Sequence, residues 1–442
     1  MYKKLKNKTK KLQDYANNII PGLSGLLGKR PEMFLPGGKW PTYYSKAKGV
    51  NIWDLNGKKY LDFSMVGVGC SVLGYADNDI NKVAKKVINE GNITTLNPPE
   101  EIELAEKLIE IHPWAEQVKF ARTGGEMMSV AVRLARAATG RDKVLFCGYH
   151  GWHDWYLSTN LTSKNKLNEH LLPGLDPLGV PKALKETMLP FRFNNEDDLK
   201  KIIEPNAKDC AAIVLEPARN TLASNKFLKK IRQIATKNNC VLIFDEITSA
   251  WRNDTCGIHK ELGINPDLAA FGKTMANGIP MTALIGKKSI MEFSIKTFIS
   301  SSGWTERLGP ACSLEFIKKH KKLNVGKTLK EKGKRIRKIW EKAANDANLR
   351  LSTQGILPLS AFKIENENWP LIITFFTQEM LKKGILAGDR FYSNYCHEEK
   401  YLKVYENACN EIFSKISKHL LRDDLEKKLE GPIKQMGFSR LT

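Results

Sequence analysis

Between residues of about 100 and 310 short apolar runs alternate with amphipathic stretches. Residues 118–121, 144–147, 212–215, 241–244, 268–271 and 282–285 are the apolar runs. Their near-continuous hydrophobicity predicts strands covered on both faces. Residues 126–139 and 226–237 carry helical periodicity instead. Such alternation predicts α/β layers around a largely parallel sheet. Upstream, residues 50–63 form two alternating runs around Asn56-Gly57, the dipeptide that best signals a tight hairpin. A glycine-rich stretch follows, Gly67-Val68-Gly69 and then Gly74, where backbone can approach a ligand closely. The first residues, up to Pro36-Gly37-Gly38, are basic and weakly periodic, and read as a helix and arm. From Gly309 to about Ala347 runs a long Lys-rich helical pattern, and mixed α+β texture follows it. The predicted organisation is an N-terminal arm with a segment of a small domain over 1–95, a large domain over 96–309 and a C-terminal small domain over 310–442.

Charge changes this picture little. The chain of 442 residues holds 70 Lys+Arg against 48 Asp+Glu, a net charge of +22. A polyanion partner is one meaning of such an excess. The lysines, however, lie in scattered clusters (3–11, 318–327, 330–342) with no nucleic-acid-binding motif beside them. A basic nucleic-acid-binding protein without catalysis is therefore kept only as a distant alternative. No run approaches the ~18–20 apolar residues of a membrane span, and Met1 is followed by lysines with no apolar segment behind them. The expectation is a soluble, cytoplasmic protein without membrane or nucleic-acid partners. Eight cysteines are spread without a CxxC pair, so neither a zinc site nor a disulfide framework is predicted.

Four segments carry candidate chemistry. Arg122-Thr123-Gly124-Gly125-Glu126 joins a strand to a helix, and glycines at a helix N-terminus free backbone N–H groups for an anion. It lacks the spacing of a dinucleotide fold or a P-loop. Tyr149-His150-Gly151-Trp152-His153-Asp154 follows a strand, the place where an aromatic ring can stack on a ligand. His150 and His153 lack a nearby third metal ligand, so no metal is predicted. Asp245-Glu246 ends an apolar strand, where a carboxylate needs a cationic partner or a metal. Lys273 follows Gly272 at the end of another strand; partial burial there favours the free amine that Schiff-base chemistry needs.

A phosphate cradle, a stacking ring, a strand-end aspartate and a Schiff-base lysine together suit pyridoxal 5'-phosphate (PLP). The chain resembles the class III aminotransferases of PLP fold type I, in particular the glutamate-1-semialdehyde 2,1-aminomutase-like branch. The segments that carry the resemblance are Val132-Arg133-Leu134-Ala135-Arg136-Ala137, Thr139-Gly140-Arg141-Asp142-Lys143, Tyr149-His150-Gly151, Leu215-Glu216-Pro217, Phe244-Asp245-Glu246 and Pro266-Asp267-Leu268 before Gly272-Lys273. The resemblance implies a seven-stranded, mainly parallel sheet in a large domain, a smaller α+β domain, and a homodimer with shared active sites. It makes Lys273 the Schiff-base lysine and proton shuttle, and Asp245 the partner of the pyridinium nitrogen. Thr123, Gly124 and Gly125 would bind the phosphate. Tyr149 and Ile247 would cover the two ring faces, Glu216 would organise the pocket floor, and Thr305 would reach the phosphate of the neighbouring subunit.

Departures from the aminomutase pattern fall on segments facing substrate. Thr123-Gly124-Gly125-Glu126-Met127 replaces Ser-Gly-Thr-Glu-Ala, and Trp304-Thr305-Glu306-Arg307-Leu308-Gly309-Pro310 replaces Gly-Thr-Leu-Ser-Gly-Asn-Pro. Asp389-Arg390-Phe391-Tyr392 stands where Ser-x-Phe-Glu is usual, and the stretch from Trp152 to Tyr156 is bulkier. The expected activity is transfer of an amino group from an amino acid donor to an aldehyde or keto acceptor. The intramolecular aminomutase reaction is the alternative. Trp152, Arg307, Arg390 and Tyr392 are the substrate-side candidates; either arginine pairs well with a carboxylate or phosphate, or equally with a neighbouring acid in a salt bridge.

Overall fold

The computed structural model describes residues 9–163, 166–170, 174–218, 221–253 and 256–436. Residues 1–8, which hold the start of the first basic cluster, lie outside that description. The chain divides into two compact units, one of residues 78–326 and one of residues 1–77 with 327–442.

The unit of residues 78–326 is built on a seven-stranded sheet. Its strands are β1 (Gln117–Ala121), β2 (Lys143–Cys147), β3 (Met188–Pro190), β4 (Cys210–Leu215), β5 (Val241–Asp245), β6 (Leu268–Phe271) and β7 (Thr282–Gly286). They lie in the order β1-β7-β6-β5-β4-β2-β3. Strands β3, β2, β4, β5 and β6 run parallel, while β7 is antiparallel to both β6 and β1. All six expected strands are present. The extra edge strand β3 escapes a reading by hydropathy because it is three residues long and contains Pro190, which an edge strand tolerates.

Alternate side chains of the central strands enter two separate cores. Val144, Phe146, Ala212, Val214 and Ile243 pack under helix α1 (Gly124–Thr139), against its buried Met127, Met128, Ala131 and Leu134. Leu145, Ile213, Leu215, Leu242 and Phe244 face the other way, onto Phe227, Leu228 and Ile231 of helix α2 (Asn225–Lys237). Strands β4 and β5 are buried along their whole length, which is why they read as unbroken apolar runs.

The helices flanking this unit move its boundaries outward from the expected 96 and 309. Helix α3 (Leu308–Lys322) packs on the helices Asn78–Glu90 and Glu100–Ile111, so residues 78–95 and 310–326 belong with the large sheet. The long Lys-rich pattern is two helices rather than one: α3 stops at Lys322 and the next begins at Val325. Asn324 turns the chain between them at φ +50°, a left-handed conformation that asparagine adopts more readily than most residues.

In the other unit, strands Asn51–Asp54 and Lys59–Asp62 form the hairpin expected at Asn56-Gly57. A second sheet pairs Leu351–Gln354, Leu359–Ile364 and Arg390–Tyr392. Phe63, Trp340, Phe362, Phe376, Tyr405 and Phe413 share its core. Among the described residues no helix is long and apolar enough to cross a membrane.

Candidate active site

Parallel strands bring their C-terminal ends, and the residues just beyond, to one edge of the sheet. β5 ends in Asp245, which is 4% exposed. Its Oδ2 accepts from His150 Nδ1 at 2.8 Å and its Oδ1 from the Ile247 N–H at 3.1 Å. The other ring nitrogen of His150 lies 3.2 Å from the Cys147 carbonyl oxygen. His150 is therefore anchored between two strand ends, β2 and β5, and takes up the partner position of the carboxylate.

Past β2, Gly148 turns the chain at φ +114°. A Cβ there would sit 2.8 Å from Glu216 Oε2, so only glycine fits. Glu216, buried just after β4, accepts the Tyr149 N–H at 3.0 Å and so holds the backbone of the aromatic residue. The Tyr149 ring meets Tyr156 edge-on at 5.8 Å.

Past β6, Gly272 leads to Lys273, whose φ of +42° is uncommon for a residue with a side chain. Lys273 Nζ donates to Thr248 Oγ1 at 2.6 Å. Ile247 ties this turn to the one that opens α1. A Cβ on Gly272 would lie 3.4 Å from Ile247 Cγ2, and one on Gly124 would lie 2.9 Å from Ile247 Cδ1. At that helix, Glu126 Oε2 accepts the Thr123 N–H at 2.9 Å in a capping box. The N–H groups of Gly124 and Gly125, in the first helical turn, have no partner within the helix. A Cβ on Gly125 would lie 2.6 Å from His153 Cε1. Burial pushes the His153 imidazole below its ordinary pKa, while the Glu126 and Asp154 carboxylates pull the other way.

Arg122 braces this helix start against the segment that carries Thr305. Its Nη2 donates to the carbonyls of Trp304 and Glu306 at 2.8 and 2.9 Å, and its Nε pairs with Glu306 Oε1 at 2.7 Å. Glu306 in turn accepts the Gly309 N–H at the start of α3. Thr305 is exposed on the short turn between, its hydroxyl donating to the Ser302 carbonyl at 2.8 Å.

The substrate-side candidates separate. Trp152 is 70% exposed and stacks on His153 at 4.5 Å. Arg307 is committed elsewhere: its Nε and Nη2 hold Glu100 and its Nη1 holds Glu90 at 2.9 Å. That is the salt-bridge alternative, and it removes Arg307 as a free anchor for substrate. Arg390, exposed, and Tyr392, partly buried, lie on a strand of the other unit.

Four contributors escaped the sequence reading. His150 stood out there only as a poor metal ligand, and Thr248, Arg122 and Glu306 carried no signal of spacing. The one available hint is that Thr248-Ser249 places two hydroxyls just past the acid pair, with only Ile247 between.

The mainly parallel seven-stranded sheet, in this strand order, is the fold of the PLP-dependent transferases of fold type I. The chain belongs to the class-III aminotransferases, a family that matches residues 36–420. The curated 3-aminobutyryl-CoA aminotransferase of Cloacimonas acidaminovorans (strain Evry) is 28% identical over 423 residues, spanning 92% of this chain and 97% of that protein. The glutamate-1-semialdehyde 2,1-aminomutase of Methanobrevibacter smithii is 32% identical over 281 residues, 60% of this chain and 64% of that one. Among solved structures, the PLP internal aldimine form of the FumI protein of Sphingopyxis sp. MTA144 superposes with a TM-score of 0.84 at 22% identity, covering 94% of this chain and 98% of that chain.

Proposed function

We propose that this aminotransferase carries PLP on Lys273 and moves an amino group from an amino acid donor to an aldehyde or keto acceptor. The observation that carries the reading is the placement of Asp245 at the end of β5 and of Lys273 just past the end of the adjacent parallel strand β6, Asp245 pairing in register with Ala270 three residues before the lysine. Two further observations support the fit. The Gly124-Gly125 helix start offers N–H groups where any side chain would collide with Ile247 or His153. Asp245 takes two donors from the protein, leaving carboxylate lone pairs for a ring N–H.

Bound there, the cofactor supplies an aldehyde for amines and an electron-withdrawing ring. The rest is work for the protein. Thr123, Gly124 and Gly125 bind the phosphate; Tyr149 and Ile247 cover the ring faces and exclude water. Asp245, oriented by His150, holds the proton on the pyridine nitrogen. Glu216 keeps Tyr149 in place. Lys273 Nζ takes the proton from the amine-bearing carbon of the substrate and returns it elsewhere. The reading includes a cytoplasmic homodimer in which Thr305, exposed on the turn braced by Arg122, reaches the partner's cofactor phosphate.

The purified protein should be yellow, and borohydride should fix the cofactor to Lys273, located by mass spectrometry. A Lys273→Ala protein that transaminates at the normal rate would overturn the assignment. The aminomutase reaction remains the second reading, favoured by the relative from Methanobrevibacter smithii. Rapid formation of 5-aminolevulinate from glutamate-1-semialdehyde, with no second substrate, would establish it instead of transfer.

A further inference from the structure

Lysine 273 has a flexible side chain, and its amine must stay on target whenever it is not bonded to the cofactor. Immobilising such a chain costs rotamer entropy, so a fixed partner for the amine matters. Thr248 Oγ1, 2.6 Å from Nζ, is that partner, and Thr248 is 4% exposed.

The threonine is itself held on every side. Its carbonyl accepts from the buried Arg252 Nε at 2.5 Å. The turn that carries it is closed by the Ala250 N–H donating to the Glu246 carbonyl at 2.9 Å. Thr274, next to the lysine, donates its hydroxyl to the Ala250 carbonyl at 3.2 Å. Lysine turn and threonine turn are thus tied together independently of the Nζ contact.

We propose that the Thr248 hydroxyl is a positioning group of the transfer reaction, holding Lys273 Nζ in place while the amine is free. A hydroxyl suits this task because it is donor and acceptor at once. It accepts from an N–H when the amine is protonated and turns its O–H toward the lone pair when it is not. A carboxylate in that position would hold the amine as an ammonium; an apolar side chain would not hold it at all. The proposal rests on Lys273 being the cofactor-bearing lysine.

The test uses the full chain with Thr248→Val and Thr248→Ser. Cofactor-free protein is mixed with pyridoxal 5'-phosphate, and the bond to Lys273 is followed by absorbance. Loss of the hydrogen bond that holds the neutral amine slows capture by Thr248→Val about fivefold, while Thr248→Ser stays within about twofold of wild type. Pyridoxamine 5'-phosphate, which cannot bond to a lysine, binds both variants as it binds wild type, showing the cradle intact. The single-turnover rate with an α-deuterated donor falls in Thr248→Val, and its isotope effect rises. Capture by Thr248→Val at the wild-type rate would overturn the proposal, as would an equal loss of pyridoxamine 5'-phosphate affinity, which marks a structural role. Borohydride fixation on wild-type Lys273 checks the parent reading separately; its failure would remove both.

Discussion

Asp245 and Glu246 are consecutive, both buried, and each is paired with a buried histidine, yet the two surroundings differ. Glu246 is saturated by the protein. Its oxygens accept from the backbone N–H groups of Ile258 and His259, from His259 Nδ1 at 2.9 Å and from the Ser249 hydroxyl at 2.5 Å. Burial drives this carboxyl upward, but the bonds from His259 and Ser249 outweigh it and leave the pKa below the ordinary value. His259 is itself closed off, its Nε2 accepting from Trp114 Nε1 at 3.2 Å. Asp245 accepts from His150 and Ile247 and keeps capacity to accept more. A buried carboxylate saturated by the chain, as Glu246 is, acts as a structural anchor; one left with spare acceptor capacity at a strand end suits the proposed role of Asp245. Anchor and site are coupled, because Glu246 fixes the turn that carries Thr248.

Four measurements sharpen or break that contrast. The largest effect belongs to Glu246→Ala, which leaves His259 and two backbone N–H groups buried without their acceptor. Stability should fall by about 3–5 kcal/mol, read as a lower urea midpoint, and the activity of the folded fraction should fall less than in Asp245→Asn. Asp245→Asn reverses the pattern: kcat should drop by about 10²–10³ with little change in the urea midpoint. If both variants lost stability alike, the contrast would collapse.

Acid should weaken both units. Burial, with help from His259 and Lys260, pushes His112 down to about 2, and burial pushes His397 down to about 3. Both are neutral when folded and near 6.5 when unfolded. Their contribution is complete above about pH 6.5 and is lost as pH falls toward the folded values. Between about pH 6.5 and 5 each costs about 2 kcal/mol, which urea titrations at about pH 7 and about pH 5 would detect. A midpoint unchanged over that range would contradict the buried neutral state. The smallest effect is expected of Gly125→Ala. Its methyl group presses on the His153 ring and should weaken cofactor binding by about 1–2 kcal/mol, measured as a raised dissociation constant for PLP.

The large sheet was legible because buried parallel strands are apolar throughout and the helices between them are periodic. The candidate chemistry proposed above was suggested by glycines at strand-to-helix turns, as at Gly124-Gly125 and Gly272-Lys273, and by an acid at the end of an apolar strand, as at Asp245. Partnerships were not, because they join residues distant in sequence. His150 reaches Asp245 across 95 positions, Arg122 reaches Glu306 across 184, and Arg307 is occupied by Glu100 from 207 positions away. Nor could the helix break at Asn324 be read from a lysine pattern that continues across it.

By itself, then, the sequence determined the layered α/β architecture and the order of strands and helices along the chain, and it singled out the candidate residues of the proposed site, since local periodicity and turn chemistry suffice for these. Only the tertiary structure decided which of two adjacent acids is complete, which arginine is occupied and which hydroxyl meets the lysine. Those outcomes depend on distances between strand ends, set by how the sheet pairs and how its helices pack, and hydropathy does not encode them.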